Sequence, residues 1–104
     1  MKLKFLEAPL VNQMRRSAVS IPSNIAEGEE SGSNPQAIRF FKIAKGSEAE
    51  LKTLIIISHE IGYVQESMFK ELYGEICQIS TMLHKIIEHR KSHISKPIPT
   101  PLYP

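Results

Sequence analysis

The sequence predicts an all-α protein, an antiparallel up-and-down helical bundle that assembles into oligomers. Apolar residues recur at alternating spacings of three and four along three segments, which is the period of one helix face. Short stretches rich in glycine, serine and proline separate these segments. Of the 104 residues, 41% are hydrophobic and 23% charged, as in folded domains. We expect one domain over 1–91 and a proline-rich tail over 92–104.

The first helix is predicted from about Ala8 to Glu27, with an apolar stripe at Val11, Met14, Ala18, Ile21 and Ile25. Pro22 interrupts it within "AVSIPSNIAEG", where it removes a hydrogen bond at a cost of about 3 kcal/mol. Because the stripe stays in phase across Pro22, a kinked, continuous helix is favoured. Neighbouring polar side chains can satisfy the freed backbone groups, namely Ser20, Ser23 and Asn24. The alternative is that Pro22 opens a second short helix.

The second helix is predicted from near Pro35 to Gly62. The preceding "GEESGSNP" reads as a loop that reverses the chain, with Ser33 or Asn34 as the helix cap. Gly62 is a natural terminator. The apolar positions of this helix are Phe40, Phe41, Ala44, Leu51, Leu54, Ile55 and Ile61.

The third helix is predicted to open near Gln65, with an unbroken three-four alternation typical of bundle packing: Phe69, Leu72, Ile76, Ile79, Leu83 and Ile86. Four of the seven prolines lie at positions 97, 99, 101 and 104, where no helix can continue. The tail is therefore either mobile or a strap that docks its apolar residues on a neighbour: Ile98, Leu102 and Tyr103.

The run Leu54, Ile55, Ile56 and Ile57 points in four directions about 100° apart around the second helix. A helix that is apolar all round is buried all round, and three helices cover one of their own poorly. We therefore expect self-association, with this run at the interface. The alternative is a fully buried central helix in a monomer.

The composition and the residue spacings argue against several classes of protein. The net charge is only +2, and the single cysteine, Cys77, cannot form an intrachain disulfide, which indicates the cytoplasm. Neither a signal peptide nor a membrane-spanning run is recognisable, so no membrane partner is expected.

His89 and His93 can share a helix face, but no spacing supplies further metal ligands. Cys77 and His84 lie about 10 Å apart along one helix, too far for a nucleophile–base pair. We predict no enzyme, no metal and no cofactor.

Basic residues give a modest lead towards nucleic acid. They lie on the predicted helices and could converge on one surface, above all in an oligomer; the candidates are Arg15, Arg16, Lys42, Lys45 and Lys52. Such phosphate contacts are salt-sensitive and largely sequence-blind. The alternative is ordinary solvated helix faces, on which Glu48 pairs with Lys52.

"QMRRSAVSIPSNIAEG", followed by "FFKIAKGSEAELKTLIIISHEIGY", resembles a bacterial four-helix-bundle family. Its genes were first noticed in intervening sequences of large-subunit ribosomal RNA genes, and it carries a ribosomal protein label. The resemblance covers about residues 10–90. It implies a homo-oligomer, typically a pentameric ring. A related branch, the accessory proteins of diversity-generating retroelements, implies RNA or a nucleic-acid-handling protein as a partner.

By match to the family motif, the signature helix carries Arg15, Arg16, Ser20, Pro22, Asn24, Glu27 and Gly28, and the facing segment carries Gly46, Ser47, Glu50 and Leu51. Gly46 and Ser47 are small enough to let another helix approach closely. Members of the family usually have another long helix before the "RR" pair. The 13 residues "MKLKFLEAPLVNQ" are too few for that helix and a turn, so the resemblance implies a shortened or missing first helix and an exposed groove.

Overall fold

The computed structural model describes residues 4–94, and these form three α-helices of 27 residues each: α1 Lys4–Glu30, α2 Asn34–Glu60 and α3 Glu66–Ser92. No strand occurs in this range. The predicted all-α class is confirmed. Most of the predicted proline-rich tail, residues 95–104, lies outside the described residues, whereas Ser92 belongs to α3.

Helix α1 continues through Pro22 without a break, so the alternative in which Pro22 opens a second helix is wrong. The side chain of Asn24 donates to the carbonyl oxygen of Ser20 at 2.8 Å, beside the missing hydrogen bond. Pro22 itself is exposed, which keeps its ring out of the core.

The predicted boundaries of α1 are too narrow. The helix begins before Ala8 and ends at Glu30, so "GEESGSNP" is a loop only over residues 31–33. The reason is tertiary, because Gly28 is buried within α1 against the ring of Phe41 from α2. A glycine that reads as a turn signal in isolation is here a contact point between helices.

The ends of α2 and the start of α3 follow the predicted local signals. Ser33 is the N-cap of α2, and its hydroxyl accepts a hydrogen bond from the Gln36 amide at 3.3 Å. After α2, Gly62 has φ +79°, and the Tyr63 amide donates to the Ser58 carbonyl at 2.8 Å. This pattern is a Schellman motif. Gln65 then caps α3, close to the predicted start.

Helix α2 lies between the other two and runs antiparallel to both. Gly28 of α1 packs on Phe41, while His59 near the end of α2 stacks on Phe69 near the start of α3. Helices α1 and α3 consequently run parallel to each other, and no Cα of one lies within 8 Å of a Cα of the other.

The core follows one stripe of α2 with three-four spacing: Ala37, Phe41, Ala44, Glu48, Leu51, Ile55 and Ser58. Two apolar clusters lie along it, one around Ala44, Ile55 and Leu83, and one around Phe41 and Ile87. Every residue of the predicted α3 stripe is buried or half-buried. Helices α1 and α3 thus cover one side of α2, and the space between α1 and α3 is left open.

Candidate interaction surfaces

Polar side chains bind α1 to α2 along a seam that contains part of the predicted signature. The hydroxyls of Ser20 and Ser47 lie 2.7 Å apart, and the Asn24 amide donates to the Ser20 hydroxyl at 3.0 Å. One turn away, the buried hydroxyl of Ser17 lies 2.5 Å from a carboxylate oxygen of Glu50. Hydrogen bonds between buried or half-buried groups fix the register of two helices. Three signature positions therefore meet, Ser20, Asn24 and Ser47, and a fourth, Glu50, contacts Ser17 one turn away.

The remaining signature positions lie outside this polar seam between α1 and α2. A Cβ built on Gly28 would overlap the Phe41 ring, so α1 and α2 approach closely here. At Gly46, where the sequence predicted the close approach, an added Cβ meets no atom of this chain within 4 Å. Within the single chain only Ser47 meets α1, because Gly46 lies on the exposed side of α2; a close approach of another helix to Gly46 stays a prediction. Glu27 is exposed, and Pro22 lines the groove between α1 and α3.

A groove of about 410 Å³ runs between α1 and α3. Leu51 of α2 forms its floor. The walls are apolar side chains of the two outer helices: Ala18, Ile21, Pro22, Ile25, Ile79, Met82, Leu83 and Ile86. One large apolar side chain of this groove is strongly exposed, Met82 at 66%. An apolar cleft of this kind is typical of a binding surface for another apolar element.

The run Leu54–Ile57 is only partly covered within one chain. Ile55 is 3% exposed and belongs to the core, whereas Ile57 remains 41% exposed. Leu54 and Ile56 are half-buried. Three helices therefore do not enclose α2 completely, and apolar surface of this run remains open to solvent.

The five basic candidates do not form one cluster in the single chain. Arg15, Arg16 and Lys42 are exposed, whereas Lys45 and Lys52 are half-buried. The contact between Ser17 and Glu50 places Arg15 and Arg16 level with Lys52. Lys42 lies roughly 15 Å and Lys45 roughly 10 Å further along the bundle axis, given a rise of about 1.5 Å per residue.

Sequence reasoning missed the burial of Glu48. The residue is only 2% exposed, and one of its carboxylate oxygens has no hydrogen-bond partner among the described residues. The Lys52 ammonium lies 3.4 Å from that oxygen, so the pair is electrostatic without good hydrogen-bond alignment. The signal was present, since Glu48 falls in the three-four stripe between Ala44 and Leu51.

The groups considered for catalysis remain scattered. His89 and His93 do share a face, with ring centroids 4.5 Å apart. Within residues 4–94, however, no three metal-binding side chains come together. Both histidines line a second, polar cavity of about 420 Å³ with Arg90, whose guanidinium donates to Asn34 at 2.9 Å and Glu29 at 3.2 Å. Those two bonds tie the C-terminal ends of α1 and α3 to the start of α2.

These features define a small all-helical protein with uncovered apolar surface. Among the described helices, none is both long and apolar enough to cross a bilayer. A family model described as 23S rRNA-intervening sequence protein matches residues 4–85, and the chain belongs to this family. No match was found among curated proteins. The resemblance stated on the "RRSAVSIPSNIAEG" block is thereby confirmed.

Proposed function

We propose that this protein is a non-catalytic helical scaffold that assembles with copies of itself in the cytoplasm and engages RNA or a nucleic-acid-handling protein. The observation that carries the proposal is the open apolar groove between α1 and α3, whose wall includes the strongly exposed Met82. The partly exposed Ile57 adds apolar surface on α2. Soluble monomers rarely leave such contiguous surface uncovered, so another subunit is the natural cover.

Support for the non-catalytic part comes from the arrangement of titratable groups. The buried carboxylate of Glu48 is paired with Lys52 and has no nucleophile or histidine bonded to it among the described residues. The groove between α1 and α3 has apolar walls, and general acid–base chemistry needs polar groups converging on a substrate.

The nucleic-acid part rests on exposed cations. None of the ion pairs among the side chains that the structure describes involves Arg15, Arg16 or Lys42. Arg16 donates to the uncharged amide oxygen of Gln13, so all three groups keep their charge for phosphate. A single chain offers a weak patch, but repetition of that patch around an oligomer multiplies it. The family resemblance implies a ring of five copies, and the molar mass of the assembly in solution tests that number.

The nucleic-acid part is tested by salt-dependent retention on immobilised single-stranded RNA. We expect the wild type to bind at low salt and the double variant R15E/R16E to lose retention. Two lost phosphate contacts lower the slope of log affinity against log salt by about 1.4. The matched control is K70E/K85E, which changes the net charge equally at two exposed lysines of α3.

Equal retention of both double variants contradicts the assigned surface. Absence of retention for the wild type favours the second candidate function, a purely structural protein–protein interaction module. The uncovered groove supports that candidate independently of any charge. In that case a protein partner, and no nucleic acid, co-purifies with the chain.

A further inference from the structure

Three half-buried basic side chains of α2 share the side of this helix that faces α3. Lys45, Lys52 and His59 follow one another at intervals of seven residues, which is close to two helical turns. His59 stacks on Phe69 of α3 with ring centroids 4.1 Å apart, which identifies this side of α2. We call this boundary between the two helices the α2–α3 edge. The arginine pair of α1 lies beyond the opposite side of α2.

The α2–α3 edge carries basic side chains on both helices. Fourteen residues back from His59 on α2 is Lys45, and fifteen residues on from Phe69 on the antiparallel α3 is His84, so Lys45 and His84 lie level. Residues that flank a helix pair in this way usually form salt bridges across it. Neither Lys45 nor His84 takes part in an ion pair within the part of the chain that the structure describes. Their charge and hydrogen-bond donors are therefore left for a ligand.

Two further lysines extend this basic surface along α2. Lys42 is exposed and precedes Lys45 by three residues, so the two are neighbours on the helix surface. Lys52 lies 3.4 Å from Glu48, but 28% of the Lys52 side chain is exposed and only 3% of the Glu48 side chain. The cation of this pair is thus at the surface, with its carboxylate beneath. From Lys42 to Lys52 the basic surface is about 15 Å long.

Aromatic side chains lie at the Lys52 end of this basic surface. The ring centroid of Tyr73 is 5.4 Å from that of Phe69, which stacks on His59. Tyr73 is one turn after Phe69 on α3, which places it between the levels of His59 and Lys52. His59 and Tyr73 are only half-buried. Cations that lead to aromatic rings are typical of surfaces for single-stranded nucleic acid, where cations contact phosphates and bases stack on rings.

We propose that the α2–α3 edge binds single-stranded RNA, with phosphates on Lys42, Lys45 and Lys52 and a base stacked on the aromatic rings. The His84 imidazole adds a hydrogen-bond donor opposite Lys45. Stacking on side chains needs unpaired bases, which favours a single strand over a duplex. This inference rests on the proposed engagement of RNA and deepens it by naming the surface and the form of RNA. The arginine pair of α1 is a second, separate contact.

The α2–α3 edge is separate from the apolar groove. His84 lies about 200° around α3 from Met82, which lines the groove, so the two surfaces lie on opposite sides of α3. On α2, Leu51 forms the floor of the groove, and Lys52 points about 100° away from it. Whatever occupies the groove therefore leaves the edge accessible to a ligand.

The phosphate contacts are tested by fluorescence anisotropy of a labelled single-stranded RNA of mixed sequence, titrated with the full chain at several salt concentrations. Lys45→Glu should lower the slope of log affinity against log salt by about 0.7, the value of one phosphate contact on a single strand. Arg39→Glu is the matched control, because it makes the same change of charge at an exposed position of α2 about 120° around the helix from Lys45. The control should keep the wild-type slope. Circular dichroism checks that both variants retain their helix content.

The outcomes separate this inference from the proposed function. An equal loss in Lys45→Glu and Arg39→Glu shows an effect of net charge alone and overturns the assigned edge. A wild-type slope in Lys45→Glu, together with a loss in R15E/R16E, also overturns the edge but leaves the engagement of RNA intact. Absence of binding by the wild type contradicts both proposals. In the R15E/R16E background, Lys45→Glu should lower the slope by about 0.7 more, because contacts on separate surfaces act independently.

The stacking contact is tested with Tyr73→Leu, which keeps an apolar side chain against Phe69 and removes the ring. This variant should bind the same RNA at least about fivefold more weakly, since one base stacked on an aromatic ring contributes that much or more. Its affinity for inorganic polyphosphate, which has no bases, should equal that of the wild type. Unchanged RNA affinity in Tyr73→Leu overturns the assignment to a single strand and indicates a surface for polyanions in general.

Discussion

At the scale of single residues, Gly28 decides how closely α1 and α2 approach. It is the one glycine of the described chain at which an added Cβ would meet another residue's side chain, the ring of Phe41. The carbonyl oxygen of Ala37 lies 3.1 Å from the same point, so the ring and the backbone both limit the space. A side chain here must push the two helices apart.

We predict that Gly28→Ala lowers the free energy of unfolding by about 1–3 kcal/mol, the usual cost of overpacking. Urea denaturation, monitored by circular dichroism, measures this change in the free energy of unfolding. Gly46→Ala is the control, since Gly46 is also inside a helix but has no atom within 4 Å of an added Cβ. There the better helix propensity of alanine should raise stability by about 1 kcal/mol. A gain at both positions would show that the Gly28 contact is unimportant.

Glu48 marks the limit of sequence reasoning at this scale. Its pairing with Lys52 was open to prediction, because residues four apart share a helix face. Its burial was not recognised, because a charged residue usually lies on the solvated face. Only the surrounding stripe, which places Glu48 between Ala44 and Leu51, indicates the core position.

At the scale of helices, the ends that depend on local chemistry were predictable. Ser33 caps α2 through its own hydroxyl, and Gly62 adopts the positive φ that ends α2. The end of α1 was not predictable in the same way. Gly28 resembles a helix stop, but its packing on Phe41 keeps the helix intact for two more residues. Tertiary contact overrides local propensity at that position.

We predict that Gly62→Ala lowers the free energy of unfolding by about 1 kcal/mol, because alanine resists the left-handed conformation at φ +79°. Gly74→Ala, inside α3 with open space around it, should raise stability by a similar amount. Thermal unfolding of the two variants beside the wild type distinguishes these effects. Equal shifts in one direction would contradict a specific role of Gly62 in the turn.

At the scale of the whole molecule, the chain is an open three-helix arrangement with α2 at its centre. The sequence indicated the stripes of all three helices and the family of the chain, which the family match confirms. It did not indicate which stripe residues face a neighbouring helix and which face the gap between α1 and α3. That division depends on the angle at which two outer helices pack on α2, and periodicity alone carries no information on it.

The central claim is that apolar surface left open between α1 and α3 is covered by another copy of the chain. Absolute molar mass by light scattering on a sizing column tests it most directly, for the wild type and for Met82→Glu. The account predicts a wild-type mass at a multiple of 11.8 kDa greater than one. It also predicts a lower multiple for Met82→Glu, because a carboxylate in the groove wall would have to be buried against the other copy. A wild type that elutes as a single 11.8 kDa chain at all concentrations would contradict it.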